Sequence, residues 1–174
     1  YLLNSKKINN LIFLCYSPEI EKFLFWCQQL IAESLGKKNK GFLPVISRVP
    51  KDHHSLLQLY LDGPKDKLFY IFSHEQKSKE KINISKALKI NNFLNKKNLS
   101  TVKNAQKKSI IDVFKQKKIP FREFKINKIN EEVLGELFSY FILETVITGK
   151  LASVNPYNQP AVEQVKVKTK KLLS

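Results

Sequence analysis

The sequence predicts an α/β fold, an αβα sandwich on a mostly parallel sheet, followed by C-terminal helices. Two apolar runs, Leu11–Tyr16 and Leu68–Phe72, are continuous rather than alternating, as expected of strands buried on both faces. Stretches of helical periodicity separate the strand-like runs, and strands alternating with helices argue for an open parallel sheet covered on both sides.

Each element has its own signals. After the first strand, Ser17-Pro18-Glu19 supplies an N-cap, a first-turn proline and an early acid. Ile20, Phe23, Leu24, Cys27, Leu30 and Ile31 then recur at helical spacing, and Gly36 is suited to end the helix. Phe42–Ser47 reads as a second strand in which Pro44 favours an end or irregular position. Ser55–Leu61 predicts a short helix closed near Gly63-Pro64, and Leu68–Phe72 the third strand. Apolar content drops from His74 to about Lys89, predicting a solvated surface loop with partial helix. Two helical patterns are expected between Leu94 and Lys118, the second carrying Ile110, Ile111, Val113 and Phe114. Pro120–Ile126 alternates as a strand. Asn130-Glu131-Glu132 caps a long helix carrying Val133, Leu134, Leu137, Phe138, Phe141, Ile142 and Val146 and ending at Gly149. A final helix starts near Pro160.

Composition narrows the class. A chain of 174 residues with 43% hydrophobic content forms one domain with a substantial core. No run approaches the roughly 18 apolar residues of a membrane span, and Tyr1–Lys7 lacks the order of a signal peptide. No methionine occurs anywhere, so the sequence reads as a segment of a longer chain. Cys15 and Cys27 sit in apolar runs without companions at metal-ligand spacing and read as reduced core thiols of a cytoplasmic protein. The formal charge of +16 is almost all lysine interleaved with Asn and Ile, as in Lys125-Ile126-Asn127-Lys128-Ile129-Asn130. Only Arg48 and Arg122 offer guanidinium forks, so the charge suits attraction of a small anion better than a nucleic-acid interface.

Three short stretches each hold one side chain suited to proton chemistry. Gln29-Leu30-Ile31-Ala32-Glu33-Ser34-Leu35-Gly36-Lys37 offers a carboxylate at the end of an apolar helix. Lys51-Asp52-His53-His54-Ser55-Leu56-Leu57-Gln58 offers two adjacent imidazoles, between which spacing alone does not choose. Asn155-Pro156-Tyr157-Asn158-Gln159-Pro160-Ala161-Val162-Glu163-Gln164-Val165-Lys166 ends on an ammonium that Glu163 can pair with on one helix face. Taken singly, each is ordinary solvated surface.

In this order and spacing, the three resemble the C-terminal half of the glucose-6-phosphate isomerases, from about Leu11 onward. The resemblance implies that residues 1–174 are the second of two sugar-isomerase (SIS) subdomains plus C-terminal helices, the first subdomain lying outside this sequence. It implies aldose–ketose isomerisation between glucose 6-phosphate and fructose 6-phosphate through a cis-enediol, in glycolysis and gluconeogenesis. Glu33 matches the base, in the pattern Glu-Ser-x-Gly-Lys, and Gln29, one turn earlier, a residue that hydrogen-bonds the sugar. His54, standing before Ser55 and four residues before Gln58, matches the ring-opening imidazole, which in this family reaches the neighbouring subunit's site and implies a homodimer. Lys166 matches the lysine assigned to the ring oxygen, and Gln159 a residue lining the same pocket. No metal or organic cofactor, nucleic acid or membrane is implied.

Two positions depart from the pattern: Asn158 stands for the usual Asp and Ala161 for the usual Gly. The sequence holds no Gly-rich phosphate cradle, no Ser/Thr-cluster loop, and no arginine in the family's enediolate-stabilising context, so the segment alone is expected to lack turnover. The competing expectation is an SIS domain that binds a sugar phosphate without converting it.

Overall fold

The computed structural model describes residues 8–74, 78, 80–84 and 92–174. Four strands, β1 (Asn10–Cys15), β2 (Leu43–Arg48), β3 (Lys67–His74) and β4 (Phe121–Ile126), form one sheet in the order β2-β1-β3-β4. All three pairings are parallel. The crossovers are α1 (Glu21–Leu35), the short α2 (Lys51–Ser55) and α3 (Leu57–Asp62), and α4 (Leu99–Gln116). Then α5 (Glu131–Leu151) and α6 (Pro160–Leu173) complete the chain.

Period-two geometry divides the strand residues between two cores. Leu11, Phe13 and Cys15, with Leu68, Tyr70 and Phe72, face α1 and α5 and meet Phe23, Leu24, Cys27, Ile31 and Phe141. Ile12, Leu14 and Tyr16, with Phe69 and Ile71, face the other side and meet Tyr60, Ile110, Ile111 and Phe114. Continuous apolarity in the central strands is thus the signature of two covered faces, and the αβα sandwich is what the sequence predicts.

Several expectations are refined. A 3-10 turn at Pro18–Ile20 precedes α1, and the Ser17 hydroxyl, instead of capping, accepts from the His74 backbone N–H at 2.6 Å. The predicted short helix begins earlier, at Lys51, and breaks at Leu56. Leu94 to Lys118 holds one long helix, α4, preceded by a 3-10 turn at Asn92–Leu94, where two helices are predicted. The sparse apolar content of Leu99–Asn104 simulates a break, but Thr, Lys, Asn, Ala and Gln continue the helix without one. Gly149 does not end α5, which runs on to Leu151. Most of the Lys-rich stretch after His74, including 75–77, 79 and 85–89, lies outside the described residues, as does Tyr1–Lys7. Among the described residues no helix is long and apolar enough to cross a membrane. Both cysteines are buried and unpaired. Burial pushes the Cys15 thiol up to about 11, and that of Cys27 up as well, so neither is a ready nucleophile.

Candidate active site

A helix that follows a parallel strand runs back along the sheet, so its C-terminus arrives at the strands' amino ends. α1 does this. Its first residue, Glu21, pairs with Arg48 at the end of β2, whereas Gln28 Nε2, two turns on, donates at 2.8 Å to the Pro44 carbonyl at the start of β2. Glu33, in the last turn, therefore stands at the amino edge of the sheet. Gly36 ends the helix there, its N–H bonded to the Ala32 carbonyl at 3.0 Å. A Cβ at residue 36 would lie 2.6 Å from that oxygen, so only glycine fits the turn.

Glu33 is partly buried, and both of its carboxylate oxygens accept a side-chain amide. Gln29 Nε2 reaches Oε1 at 3.0 Å from one turn back on the same helix. Gln159 Nε2 reaches Oε2 at 2.6 Å from 126 residues away in sequence. The two amides restrict the carboxylate's rotation and aim it into an open cleft of about 830 Å³, lined among others by Gly36, Lys37, Asn155, Asn158 and Gln159.

Gln159 is delivered by the connector between α5 and α6. Val154 is buried, with its N–H on the Gly149 carbonyl at 2.9 Å. Gly149 is itself buried and closely approached: a Cβ there would stand 3.2 Å from Pro156 Cβ. Asn155 Oδ1 accepts from the Tyr157 N–H at 2.9 Å, and Pro160 opens α6 in the first-turn position where its missing donor is harmless. Two lysines fasten this connector to the end of α1. Lys37 Nζ donates to the carbonyls of Ser34 (2.9 Å) and Asn155 (2.6 Å), and Lys40 Nζ to that of Ala152 (2.6 Å). Sequence reasoning missed both, although Lys37 closes the first motif.

Lys166 is not among the cleft-lining residues. It lies one turn beyond Val162, which is, and its ammonium pairs with Glu163 at 2.7 Å, both side chains 64% exposed. No residue of α6 is buried.

The imidazoles are far away. α2 follows β2, so His53 and His54 stand at the carboxyl edge of the sheet, and the length of α1 puts them on the order of 20 Å from Glu33. By sequence alone, Glu33 and His54 both lie between strands and suit a common site at the carboxyl edge. The structure puts only His54 there. The two histidines also differ in kind. His53 Nε2 lies 2.9 Å from the Tyr16 hydroxyl, with the rings meeting edge-on, and burial lowers its pKa despite the opposing charge of Asp52. His54 is exposed, and among the described residues its side chain makes no hydrogen bond.

Neither arginine faces the cleft. Arg48 is paired with Glu21, and Arg122 is held by Tyr70, Tyr140 and Glu144 while lying over the aromatic rings of β3, β4 and α5. Among the described residues no group of three His, Cys, Asp or Glu side chains is placed to hold a metal ion.

No protein-family model matches the chain. Curated relatives do. It is 32% identical over 167 residues to the glucose-6-phosphate isomerase of Methanocaldococcus jannaschii, a match covering 95% of this chain and 41% of the relative. It is 35% identical over 152 residues to a probable glucose-6-phosphate isomerase of Methanococcus maripaludis, covering 87% and 34%. The enzyme of Mycoplasmopsis synoviae is 34% identical over 170 residues, covering 95% and 39%. The chain is homologous to a portion of the glucose-6-phosphate isomerases. It spans about two-fifths or less of the length of these relatives. Among solved structures, a hypothetical protein from Thermus thermophilus superposes with a TM-score of 0.86 at 27% identity, over 96% of this chain and 42% of that one. A glucose-6-phosphate isomerase from Chlamydia trachomatis shares the fold, with a TM-score of 0.74 at 14% identity over 95% of this chain and 34% of that one.

Proposed function

We propose that this chain supplies the base-bearing part of an isomerase site that interconverts glucose 6-phosphate and fructose 6-phosphate in the cytoplasm, as a second SIS subdomain with its C-terminal helices. The observation that carries this reading is the Glu33 carboxylate, held by amides from two separate motifs at the mouth of a cleft large enough for a hexose phosphate. An aldose–ketose exchange removes a proton from the carbon beside the carbonyl and returns it to the neighbouring carbon. One oriented carboxylate does both halves when a cis-enediol presents both carbons on one face. Gln29 and Gln159 line the sugar, and Lys166, turned from Glu163, serves the ring oxygen.

His54 fits ring opening, being solvent-facing and free of internal partners among the described residues, but it stands at the wrong end of its own sheet. The separation from Glu33 supports a site completed by His54 of a second copy. Exposed apolar residues on α5 (Leu143, Ile147, Leu151) and an α6 with nothing buried support association with further protein surface. The phosphate anchor and the arginine that would steady the enediolate are assigned to the part of the enzyme that relatives carry outside the matched region. A second reading, sugar-phosphate binding without turnover, is favoured by one observation: Lys166 is paired with Glu163 and lies outside the cleft lining.

The test is a chimera in which this chain replaces the matching segment of the Methanocaldococcus jannaschii isomerase, checked for folding by circular dichroism. A coupled assay for fructose 6-phosphate conversion is expected to show turnover that Glu33→Gln abolishes, and none from the 174-residue chain alone. Positioning of the phosphate supplies several kcal/mol of barrier reduction that the chain alone lacks. A folded chimera that binds the sugar phosphate without converting it would favour the second reading. Glu33-dependent turnover by the chain alone would refute the division of labour.

A further inference from the structure

We infer that Lys37 is a positioning residue for Glu33: its ammonium joins the end of α1 to the segment that carries Gln159 and so fixes how the first and third motifs meet. This rests on the reading of Glu33 as the base.

The last carbonyls of a helix have no intrahelical donor. In α1 the Ala32 carbonyl takes the Gly36 N–H and that of Leu35 takes the Lys37 N–H at 2.8 Å. The Ser34 carbonyl, one residue past Glu33, is reached instead by Lys37 Nζ. The tight turn at Gly36 carries residue 37 back over the helix end, which gives the glycine and the lysine of the motif a joint purpose. A cation there also complements the negative end of the helix dipole. The same ammonium donates at 2.6 Å to the carbonyl of Asn155, the first residue of the third motif.

Little else holds that stretch. Upstream it is fixed by buried Val154 and by Lys40 on Ala152, and within it Pro156 packs against Gly149 of α5. Downstream, α6 buries nothing. Among the described residues, apart from its own bond to Glu33, Gln159 therefore sits on a connector whose hydrogen-bonded tie to the end of α1 beyond Val154 is Lys37. Partial burial lowers the Lys37 pKa, consistent with an ammonium tucked between two backbone segments instead of extended into solvent. The alternative role, direct contact with the substrate's anionic group, makes a different prediction.

The experiment uses the full 174-residue chain, with Lys37→Met, which keeps length and removes the donor, and Lys37→Arg, which keeps donors. In Lys37→Met, amide hydrogen exchange over Tyr157–Val162 is expected to quicken at least tenfold, with β1 and β3 unchanged, and the cross-peak between the Gln159 side-chain amide and Glu33 to vanish. Lys37→Arg is expected to retain most of both. Unchanged exchange and an intact cross-peak in Lys37→Met would overturn the inference. In the chimera, Lys37→Met is expected to lower kcat about tenfold at nearly constant KM, with recovery by Lys37→Arg. A raised KM with unchanged kcat would overturn it in favour of substrate contact. Loss of the cross-peak in a chain whose chimera shows no Glu33-dependent turnover would refute the proposed reaction and leave the geometric role standing.

Discussion

Tyr16→Phe is expected to loosen α2, the turn that presents His54, without unfolding the sheet. Tyr16 is 1% exposed, and its N–H is bonded to the Phe72 carbonyl at 2.9 Å, so it is a rigid post at the end of β1. Burial raises the phenol's pKa and lowers that of His53, so both groups are held neutral, with one hydrogen bond between them across 2.9 Å. The five residues of α2 are too few to hold a helical turn unaided. Their other anchor is the Asp52 carboxylate, which accepts from Ser47 Oγ at 3.0 Å and the Arg48 N–H at 2.8 Å. Phenylalanine keeps the edge-on ring contact, deletes one hydrogen bond and leaves a partly buried imidazole nitrogen unpaired. The loss is about 1–2 kcal/mol, or roughly 5- to 30-fold in the opening equilibrium of α2. The N–H groups of His53 and Leu56, bonded to the Pro50 and Asp52 carbonyls at 3.0 and 2.8 Å, are the probes. Their hydrogen exchange, read by NMR, is expected to quicken by that factor, while amides of β1 and β3 keep their rates. Unchanged rates at His53 and Leu56, or an equal rise throughout the sheet, would refute this account of α2.

The same imidazole gives a pH signature: with its folded pKa below the ordinary value of about 6.5, the unfolded chain binds the extra proton. Stability due to His53 is therefore full above about pH 6.5 and is lost as pH falls through the lowered value. The gap in urea midpoint between wild type and His53→Gln should shrink accordingly, and a gap that widens in acid would contradict the sign. Phe141→Ala is expected to cost about 3–5 kcal/mol, because Phe141 is fully buried with its ring 5.6–6.3 Å from those of Phe23, Tyr70, Phe72 and Phe124. A loss below about 1 kcal/mol in urea unfolding would mean that α5 is not the lid of this core. In the chimera, His54→Ala is expected to impair conversion of closed sugar far more than of open-chain sugar. A larger effect from His53→Ala would show that ring opening belongs to the other imidazole.

The fold was largely legible because burial leaves a residue pattern. Leu11–Tyr16 has no polar position since both faces are covered, and β2 tolerates Pro44 because it is an edge strand. The single helix α4 was not legible, since its first turns hold little apolar surface to mark a face. At the site, the i,i+4 spacing put Gln29 on the same helix face as Glu33, and the resemblance named Gln159 as lining the pocket; that both amides bond the Glu33 carboxylate was not legible. The lysine ties were invisible because their acceptors are backbone carbonyls, which carry no residue signature. Lying between two strands does not say which edge a residue occupies. Its place in the crossover does: Glu33 ends a helix returning to the amino edge, and His54 begins the path leaving the carboxyl edge.

The central claim, that Glu33 is the isomerisation base, is tested most directly by exchange of the substrate's C2 proton with solvent in the folded chimera. Glu33→Gln keeps the side chain's shape and removes its basicity. Exchange at C2 is expected to fall by at least about 10²–10⁴-fold, with substrate affinity little changed. Near-normal C2 exchange in that variant would contradict the claim.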